Sequence, residues 1–159
     1  NFENIKFEFI YSNPVLHKNV YNEFKNIIGR LNNKFDIKIY FKNINIIRQT
    51  FCNDKNITDV ELHSSVFEIG HDSFNGCSSL RKVKIPSSVI SIGERAFCDC
   101  TSLKKIEIPK SVIYIGEKAF YGCTLLNEVS FLSSVSLIKQ YTFAKCCSLK
   151  KIVKCKIAN

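Results

Sequence analysis

The sequence lacks methionine altogether, and it has no run of about 18 apolar residues, the length that a membrane-spanning helix requires. We therefore expect nothing in this chain to cross a bilayer. Because the chain starts at Asn1 without a methionine, we also expect a processed product or a piece of a longer protein. A leader peptide could already have been removed from it.

Catalytic motifs are missing as well. The sequence contains no Gly-x-Ser-x-Gly, no phosphate-binding glycine loop and no His-Glu-x-x-His. Its three histidines, His17, His63 and His71, keep no fixed spacing to a serine or cysteine nucleophile. We therefore predict that the protein is not an enzyme and uses no cofactor.

Acidic residues are missing after Glu128. Residues 1–128 carry 17 Lys and Arg against 14 Asp and Glu, and the rest adds lysines but no acid, which brings the formal charge to +9. The lysines of this basic end are Lys139, Lys145, Lys150, Lys151, Lys154 and Lys156. They could bind a polyanion such as nucleic acid, a glycosaminoglycan or acidic lipid. Only Tyr141 and Phe143 interleave with them, so no stacking platform for bases is evident.

What the sequence does have is a repeat of 23 residues. Phenylalanine recurs at this interval, at Phe51, Phe74, Phe97, Phe120 and Phe143. The units "FNGCSSLRKVKIPSSVISIGERA" and "FCDCTSLKKIEIPKSVIYIGEKA" align without a gap. Their shared apolar columns are Leu80, Val83, Ile85, Val89 and Ile92 in one unit and Leu103, Ile106, Ile108, Val112 and Ile115 in the next. A period of this length is typical of stacked repeats, so we predict a solenoid with these columns as its core.

Each coil is predicted to begin with one short strand. Ile106-Glu107-Ile108 alternates as a strand with one buried face does, and equivalent strands one coil apart would form a parallel sheet. Pro86 and Pro109 are expected to end the strand, because proline cannot donate to a ladder.

The rest of the coil is predicted to turn twice. Gly70, Gly93 and Gly116 recur after a short extended piece, where we expect a positive φ. The following Glu-Arg-Ala-Phe at 94–97 has room for a single helical or 3-10 turn.

The unit "FNGCSSLRKVKIPSSVISIGERAF" resembles the BspA-like, Treponema pallidum-type leucine-rich repeat: an aromatic, Cys three residues later, Leu-x-x-Ile-x-Ile-Pro, then Val-x-x-Ile-Gly. The resemblance implies a mostly β member of the α/β class, a right-handed superhelix with a parallel sheet on one face. It also implies a non-enzymatic scaffold, of surface or adhesion type, that binds protein ligands. Some coils depart from the pattern, and we expect looser turns there. His63, Leu132 and Cys155 stand where the pattern has proline, Lys139 stands where it has glycine, and Asp54 stands where it has cysteine.

The match divides a single repeat domain, residues 1–159, into two parts. Residues 51–159 are regular repeats, the last one incomplete, and residues 1–50 are divergent coils or an N-terminal cap. Ile37, Ile39 and Ile46 are predicted to be in register with Val60, Leu62 and Ile69. The segment at 14–31 has helix-like apolar spacing, and we interpret it as another divergent coil or the cap.

The eight cysteines have a structural interpretation. Cys77, Cys100, Cys123 and Cys146 share one repeat position and are predicted to form a buried column of thiols, although disulfides between neighbours are geometrically allowed. The pair Cys98 and Cys100 lies two coils, or about 10 Å, from Cys146-Cys147, too far to share a metal ion. We expect no metal site, and we expect Cys52 and Cys98 to be exposed.

The compartment stays open at this point. The resemblance implies a cell-surface or secreted protein, whereas a chain with all its cysteines reduced would fit the cytoplasm.

Two outward columns of the predicted sheet carry charge. One contains Lys38, Glu61, Lys84, Glu107, Ser130 and Val153, and the other contains Asp59, Lys82, Lys105, Glu128 and Lys151. In the first column the signs alternate, and opposite charges on neighbouring strands could simply fix the register of the coils. The second column does not alternate, since Lys82 lies beside Lys105, and its charges could simply be solvated. They could also form a recognition surface, and our candidate binding residues are Lys82, Lys84, Lys105, Glu107, Glu128 and Lys151.

Two further features could mediate association. Phe67, Ile90 and Ile113 occupy equivalent places and form either an exposed apolar patch or part of the core. The last coil has no recognisable polar cap, so we predict either a longer parent protein or end-to-end self-association.

Overall fold

The structure, a computed structural model, describes residues 6–11, 36–41, 46–47, 49–133 and 135–154. These ranges contain a succession of strands. In chain order they are β1 (Lys6–Tyr11), β2 (Asp36–Phe41), β3 (Ile46–Ile47), β4 (Ile57–Glu61), β5 (Glu68–Ile69), β6 (Lys82–Lys84), β7 (Ser91–Ile92), β8 (Lys105–Ile108), β9 (Tyr114–Ile115), β10 (Glu128–Phe131), β11 (Leu137–Ile138) and β12 (Lys151–Lys154).

The strands stack in parallel, one coil upon the next, as predicted. The long strands form two ladders, β1-β2-β4-β6 and β8-β10-β12, with partners such as Val60 and Val83 that are 23 residues apart. The two-residue strands form a second parallel sheet in the order β3-β5-β7-β9-β11. The chain is therefore a parallel β-solenoid, and the short extended piece expected from the sequence belongs to a sheet of its own.

The helical turn expected at 94–97 is not formed, and the described residues contain no helix. Every second N–H of this segment donates a hydrogen bond to a carbonyl of the next coil. Phe97 donates to Ala119 at 2.8 Å, and Asp99 donates to Tyr121 at 2.7 Å. Arg95 and Asp99 have φ values of 50° and 55°, outside the helical region. The backbone is used to join coils instead. Among the described residues, no helix has the length and apolarity to span a membrane.

A stack of phenylalanine rings runs through the centre of the solenoid. Neighbouring rings of the five repeats have centroids 5.3–5.5 Å apart and planes within 5–9° of parallel. The columns represented by Leu103 and Ile115 are fully buried beside this stack. The predicted core columns are confirmed in the middle of the stack, although Val83 and Ile85 are only partly buried. Each coil buries its apolar face against its neighbours.

The recurring glycines have a different role from the one expected. Gly70, Gly93 and Gly116 do not have positive φ; the glycines that do are Gly76 and Gly122. A Cβ on Gly116 would lie 2.5 Å from the backbone nitrogen of Glu94 in the preceding coil. Glycine is needed at that place because two coils approach each other closely there.

The N-terminal register differs from the prediction, by two residues in β2 and by one in β3. Ile39, rather than Ile37, pairs with Val60, so the paired positions are 21 residues apart instead of 23, and the register also shifts between Ile37 and Lys38. Ile47, rather than Ile46, pairs with Ile69. Spacing alone could not reveal this irregularity. The segment at 14–31 lies outside the described residues.

The turn after the long strand forms even where proline is replaced. β8 ends at Ile108, directly before Pro109. The N–H of Val66 donates to the carbonyl of His63 at 3.0 Å, and the corresponding bond from Val112 to Pro109 is 3.2 Å. The expected loosening at His63 is therefore wrong, since the turn depends on this backbone bond. Cys155 lies outside the described residues.

Candidate functional site

The buried cysteines join each coil to the one before it. Each thiol donates a hydrogen bond to the carbonyl of the phenylalanine 26 residues earlier. The pairs are Cys77 with Phe51 at 3.0 Å, Cys100 with Phe74 at 3.2 Å, Cys123 with Phe97 at 3.1 Å and Cys146 with Phe120 at 3.1 Å. None of the four forms a disulfide and all are buried, so the predicted column is confirmed. Asp54, at the cysteine place of its coil, is also buried.

These thiols are poorly suited to nucleophilic chemistry. Burial raises the pKa of Cys100 well above its ordinary value, and burial raises the pKa of Cys146 to about 11. Because the thiolate is the nucleophile, such groups are unreactive near neutral pH. The column therefore has a packing role.

Cys98 is buried, with 6% of its surface exposed, so the expectation that it is exposed is wrong. Asn75 and Tyr121 occupy the same repeat position in the preceding and the following coil, and both side chains are larger than that of Cys98. Burial, and then the adjacent Asp99 carboxylate, raise the pKa of Cys98 to about 12. Cys52, at the same repeat position in an earlier coil, is exposed as expected.

The described residues contain no group of three His, Cys, Asp or Glu side chains placed to hold a metal ion. His63 and His71 are exposed, and His17 lies outside the described residues. Nδ1 of His71 is 3.2 Å from Oδ2 of Asp72, a buried carboxylate that Arg95 also holds through two bonds of 3.0 and 3.1 Å. This cluster joins two coils.

A row of charged side chains lies on the long-strand face, which we define as the outward side chains of β4, β6, β8, β10 and β12. In β8, Ile106 and Ile108 are buried while Lys105 and Glu107 point outward and are exposed. The alternation follows directly from the strand geometry. Lys38 is displaced from its expected column, because it pairs with Asp59 rather than being in register with Glu61.

Ion pairs connect neighbouring coils across this face. They join Lys84 Nζ to Glu61 Oε1 at 2.7 Å, Lys105 Nζ to Glu128 Oε2 at 3.4 Å, Lys151 Nζ to Glu128 Oε2 at 3.6 Å, and Arg81 Nη2 to Asp59 Oδ2 at 3.7 Å. Except at Glu128 and Asp59, the partners are largely exposed, so each pair contributes about 0–1 kcal/mol to stability.

Glu128 lies between two lysines. Desolvation disfavours its ionised form, but the ammonium groups of Lys105 and Lys151 outweigh this and hold the pKa of the carboxyl below its ordinary value. Glu128 is thus ionised at neutral pH and shared by two cations.

A small depression interrupts the face at β4 and β6. Its volume is about 160 Å³, and its lining residues are Asp59, Val60, Glu61, Lys82 and Lys84. A space of this size can accept one side chain of a partner, whereas small-molecule sites are typically several times larger.

Two cations of the face were missed in the sequence analysis. Arg81 and Lys104 directly precede Lys82 and Lys105 at the starts of their strands, and both are exposed. They escaped notice because only the positions directly before and directly after Val83 and its equivalents were considered. Their position directly before a predicted strand could have indicated that they belong to the same surface.

The aligned apolar residues outside the long-strand face are exposed. Phe67, Ile90 and Ile113 expose 48%, 50% and 56% of their surface, which settles the alternative between patch and core. Backbone bonds from Ile90 to Phe67 and from Ile113 to Ile90 hold the three in line.

The last described coil leaves its core columns partly open. Ile138 is 44% exposed, although its counterpart Ile115 is fully buried. Ile152 is 53% exposed, whereas its counterpart Val129 is fully buried. Both residues lie on the C-terminal side of the stack.

The aromatic rings near the basic end are covered by lysines of the chain itself. Lys145 Nζ lies 5.1 Å from the ring centre of Tyr121, and Lys118 Nζ lies 5.8 Å from that of Tyr141. These rings already have cationic partners. Lys139 and Lys150 are exposed nearby.

Comparison with known proteins agrees with this architecture. A leucine-rich cell-surface protein from Faecalibacterium prausnitzii A2-165 is similar in structure, with a TM-score of 0.72 and 28% identity over 76% of this chain. The T. pallidum leucine-rich repeat protein shares the fold, with a TM-score of 0.52 and 22% identity over 74% of the chain. The chain spans 32% of the first protein and 69% of the second.

No curated protein sequence matches the chain. The family model that describes the BspA-type leucine-rich repeat region, in contrast, matches residues 44–158 with six copies of the repeat. The repeat spacing, the buried phenylalanine and cysteine columns and this match agree with one another, and the chain belongs to the BspA-type leucine-rich repeat family.

Proposed function

We propose that this protein is a non-enzymatic scaffold that binds protein ligands through its long-strand face. The binding residues in this proposal are Lys82, Lys84, Lys105, Glu107, Glu128 and Lys151. The observation that carries the proposal is their common placement: they project outward from consecutive long strands, and all but the half-buried Glu128 are exposed. Leucine-rich repeats generally serve protein interaction, which supports this assignment by analogy of fold.

The rigidity of the scaffold favours such a role. The strands that carry these residues are fixed by backbone ladders and by the phenylalanine stack behind them. A partner would therefore meet an ordered surface and lose little free energy in ordering it. The similar Faecalibacterium protein is described as a cell-surface protein. By analogy we propose a surface location and an adhesion role for this chain too.

A neutral steric block on the face tests the proposal. Ser130 lies on β10, next to Glu107 in the ladder, and Ser130→Trp would cover the face without changing its charge. Thr124→Trp places the same bulk at an exposed position outside the face. Both variants are assayed against a partner selected by the wild-type protein from an array of purified surface and secreted proteins.

The proposal predicts that Ser130→Trp weakens binding by about tenfold or more, while Thr124→Trp leaves it nearly unchanged. Equal affinities of the two variants would exclude the long-strand face as the binding surface. Circular dichroism of both variants confirms that the fold is intact.

A second candidate function is polyanion binding by the basic end. It is favoured by the exposure of Lys139, Lys145 and Lys150 in a segment without acids. Such binding would weaken steeply as salt concentration rises, because counterions are released. If the affinity for heparin is the same at low and at high salt, polyanion binding by the basic end is excluded.

Self-association is a third candidate, favoured by the exposed Ile138 and Ile152. Open core columns could stack on a second copy of the chain. Light scattering over a wide concentration range tests this idea, and a strict monomer throughout would reject it.

A further inference from the structure

The long-strand ladder is broken at one place, between β6 and β8. These strands belong to adjacent coils, since the rings of Phe74 and Phe97 are 5.3 Å apart and the N–H of Gly76 donates to the carbonyl of Cys98 at 2.8 Å. Within the described residues, however, β6 ends one ladder and β8 begins another. The second sheet continues past the same point from β7 to β9. We call the boundary between β6 and β8 the seam.

Like charges face each other across the seam. Lys82 of β6 and Lys105 of β8 occupy the same repeat position, and Lys104 adds a third cation beside them. Elsewhere in this column, opposite charges are paired, as between Asp59 and Lys82 or between Lys105 and Glu128. Like charges on neighbouring strands destabilise their pairing, which explains why the ladder is interrupted here.

The protein's own acids do not neutralise the seam. The side chains of Lys82 and Lys104 are exposed, and neither forms an ion pair with an acid among the described residues. Lys105 has one acidic neighbour, Glu128, which it shares with Lys151. The seam therefore carries a local excess of positive charge on an otherwise balanced face.

We infer that the partner presents a short acidic segment, whose Asp or Glu carboxylates bind Lys82, Lys104 and Lys105 at the seam. This inference rests on the proposed function of the long-strand face. Neighbouring strands lie about 4.8 Å apart and alternate residues of an extended peptide about 6.5 Å apart, so adjacent carboxylates can reach neighbouring lysines. A second copy of the chain fits poorly, because the same surface would bring cations against cations.

The acids that flank the seam favour a short acidic segment over a long polyanion. Asp59 and Glu61 lie on β4 on one side, and Glu107 and Glu128 lie on β8 and β10 on the other. A nucleic acid carries negative charge uniformly along its length and would place phosphates beside these carboxylates. A protein segment can instead place acids at the seam and bases on either side of it.

Two peptides of identical composition test the charge pattern. The first is Lys-Lys-Glu-Glu-Glu-Glu-Lys-Lys, and the second alternates lysine and glutamate. Fluorescence anisotropy with the intact chain at about 20 mM salt, where screening is weak, measures both affinities. The inference predicts that the blocked peptide binds about fivefold tighter or more. Equal affinities, or no binding of either peptide, would overturn it.

Matched charge reversals test the location. The seam variant carries Lys82→Glu, Lys104→Glu and Lys105→Glu, and the control carries Lys55→Glu, Lys110→Glu and Lys139→Glu, three exposed lysines outside the face. The seam variant should lose about tenfold in affinity for the blocked peptide, and the control less than about twofold. Equal losses would show unspecific attraction and contradict the inference. If the charge reversals unfold the chain, the double variant Lys82→Gln, Lys104→Gln replaces them. It should also weaken binding of the blocked peptide.

Two further comparisons separate the alternatives. If a heparin fragment binds tighter than the blocked peptide and depends on the same three lysines, the seam binds polyanions and the inference of an acidic protein segment is wrong. If the seam variant keeps full affinity for the array-selected protein while Ser130→Trp has lost it, the acidic segment is wrong but the binding face stands. If both variants keep that affinity, the proposed function fails as well.

Discussion

The thiol of Cys100 and the backbone nitrogen of Cys77 both donate to the carbonyl oxygen of Phe74, at 3.2 and 3.1 Å. One bond closes a turn within the coil, and the other reaches from the next coil. A carbonyl has two lone pairs and can accept both. The cysteine of this repeat is thus a small buried donor that ties successive coils together, which explains why four coils carry it.

Site-resolved alkylation tests the burial of the thiols. Cys52 and Cys98 occupy the same repeat position, but Cys52 is exposed and Cys98 is buried, with its pKa raised to about 12. At about pH 8, iodoacetamide should modify Cys52 rapidly and Cys98 slowly in the native protein, because the thiolate is the reacting form. Mass spectrometry of the peptides measures both rates. Similar native rates would refute this placement, and in denaturant the two should converge.

Close approach of coils predicts a costly substitution at Gly116. A Cβ there would meet the backbone of Gly93 and Glu94, which can move only if the coils separate. Gly116→Ala should lower the free energy of unfolding by about 3 kcal/mol, as measured by urea denaturation.

Gly122→Ala is the matched comparison for Gly116→Ala. Its Cβ would meet the side chain of Asp99, which can rotate away, so the loss should be about 1–2 kcal/mol from the positive φ and the contact together. Asp99→Gly should relieve the contact part of that loss. A larger loss at Gly122 than at Gly116 would contradict the explanation.

The Asp72–Arg95 pair predicts a dependence of stability on acid pH. Desolvation opposes ionisation of Asp72, but hydrogen bonds from Arg95 and His71 prevail and lower its pKa below 3.8. The stabilisation is therefore present above the unfolded pKa near 4, and it is lost as the pH falls through the lower folded value. Arg95→Met should cost about 1–2 kcal/mol at pH 7, since Arg95 is partly exposed, and less at about pH 2.

Urea denaturation at several pH values measures this difference. Glu94→Gln, which removes only the exposed contact of Arg95 at 3.7 Å, is the control and should have little effect at either pH. A loss for Arg95→Met that is the same at pH 2 and pH 7 would show that the ion pair is not the cause.

Much of this fold could be predicted from the sequence, because each coil repeats the same packing problem. The phenylalanine, leucine and isoleucine columns follow from one spacing, as Phe97, Leu103 and Ile115 illustrate. The end of β8 before Pro109 followed from the inability of proline to donate to the ladder.

What escaped prediction depends on neighbours in space. Cys98 and Cys52 share one repeat position, yet Cys98 is buried and Cys52 is exposed, a difference that the repeat pattern does not contain. Gly116 suggested a turn, whereas the need for glycine arises from the coil before it. The shift at Ile37 and Lys38 is a local irregularity that a regular period conceals. The candidate binding residues do lie at outward positions of the strands, but the seam appears only when the ladders are compared.

Neutralising Glu128 should strengthen the binding of an acidic ligand. Glu128 occupies both Lys105 and Lys151, at 3.4 and 3.6 Å, and Glu128→Gln would release these ammonium groups. Affinity for the blocked peptide should rise by about twofold to fivefold at low salt. Glu117→Gln, which frees Lys118 outside the face, is the control and should have a smaller effect. Weaker binding by Glu128→Gln would argue against the seam.

Lysine footprinting of the complex with the array-selected protein tests the binding face most directly. An amine-acylating reagent modifies exposed lysines, and mass spectrometry compares each lysine with and without the partner. Our account predicts protection of Lys82, Lys84, Lys105 and Lys151, while Lys55, Lys110 and Lys139 react at the same rate as in the free protein. Protection of the second group with continued reactivity of the first would contradict it.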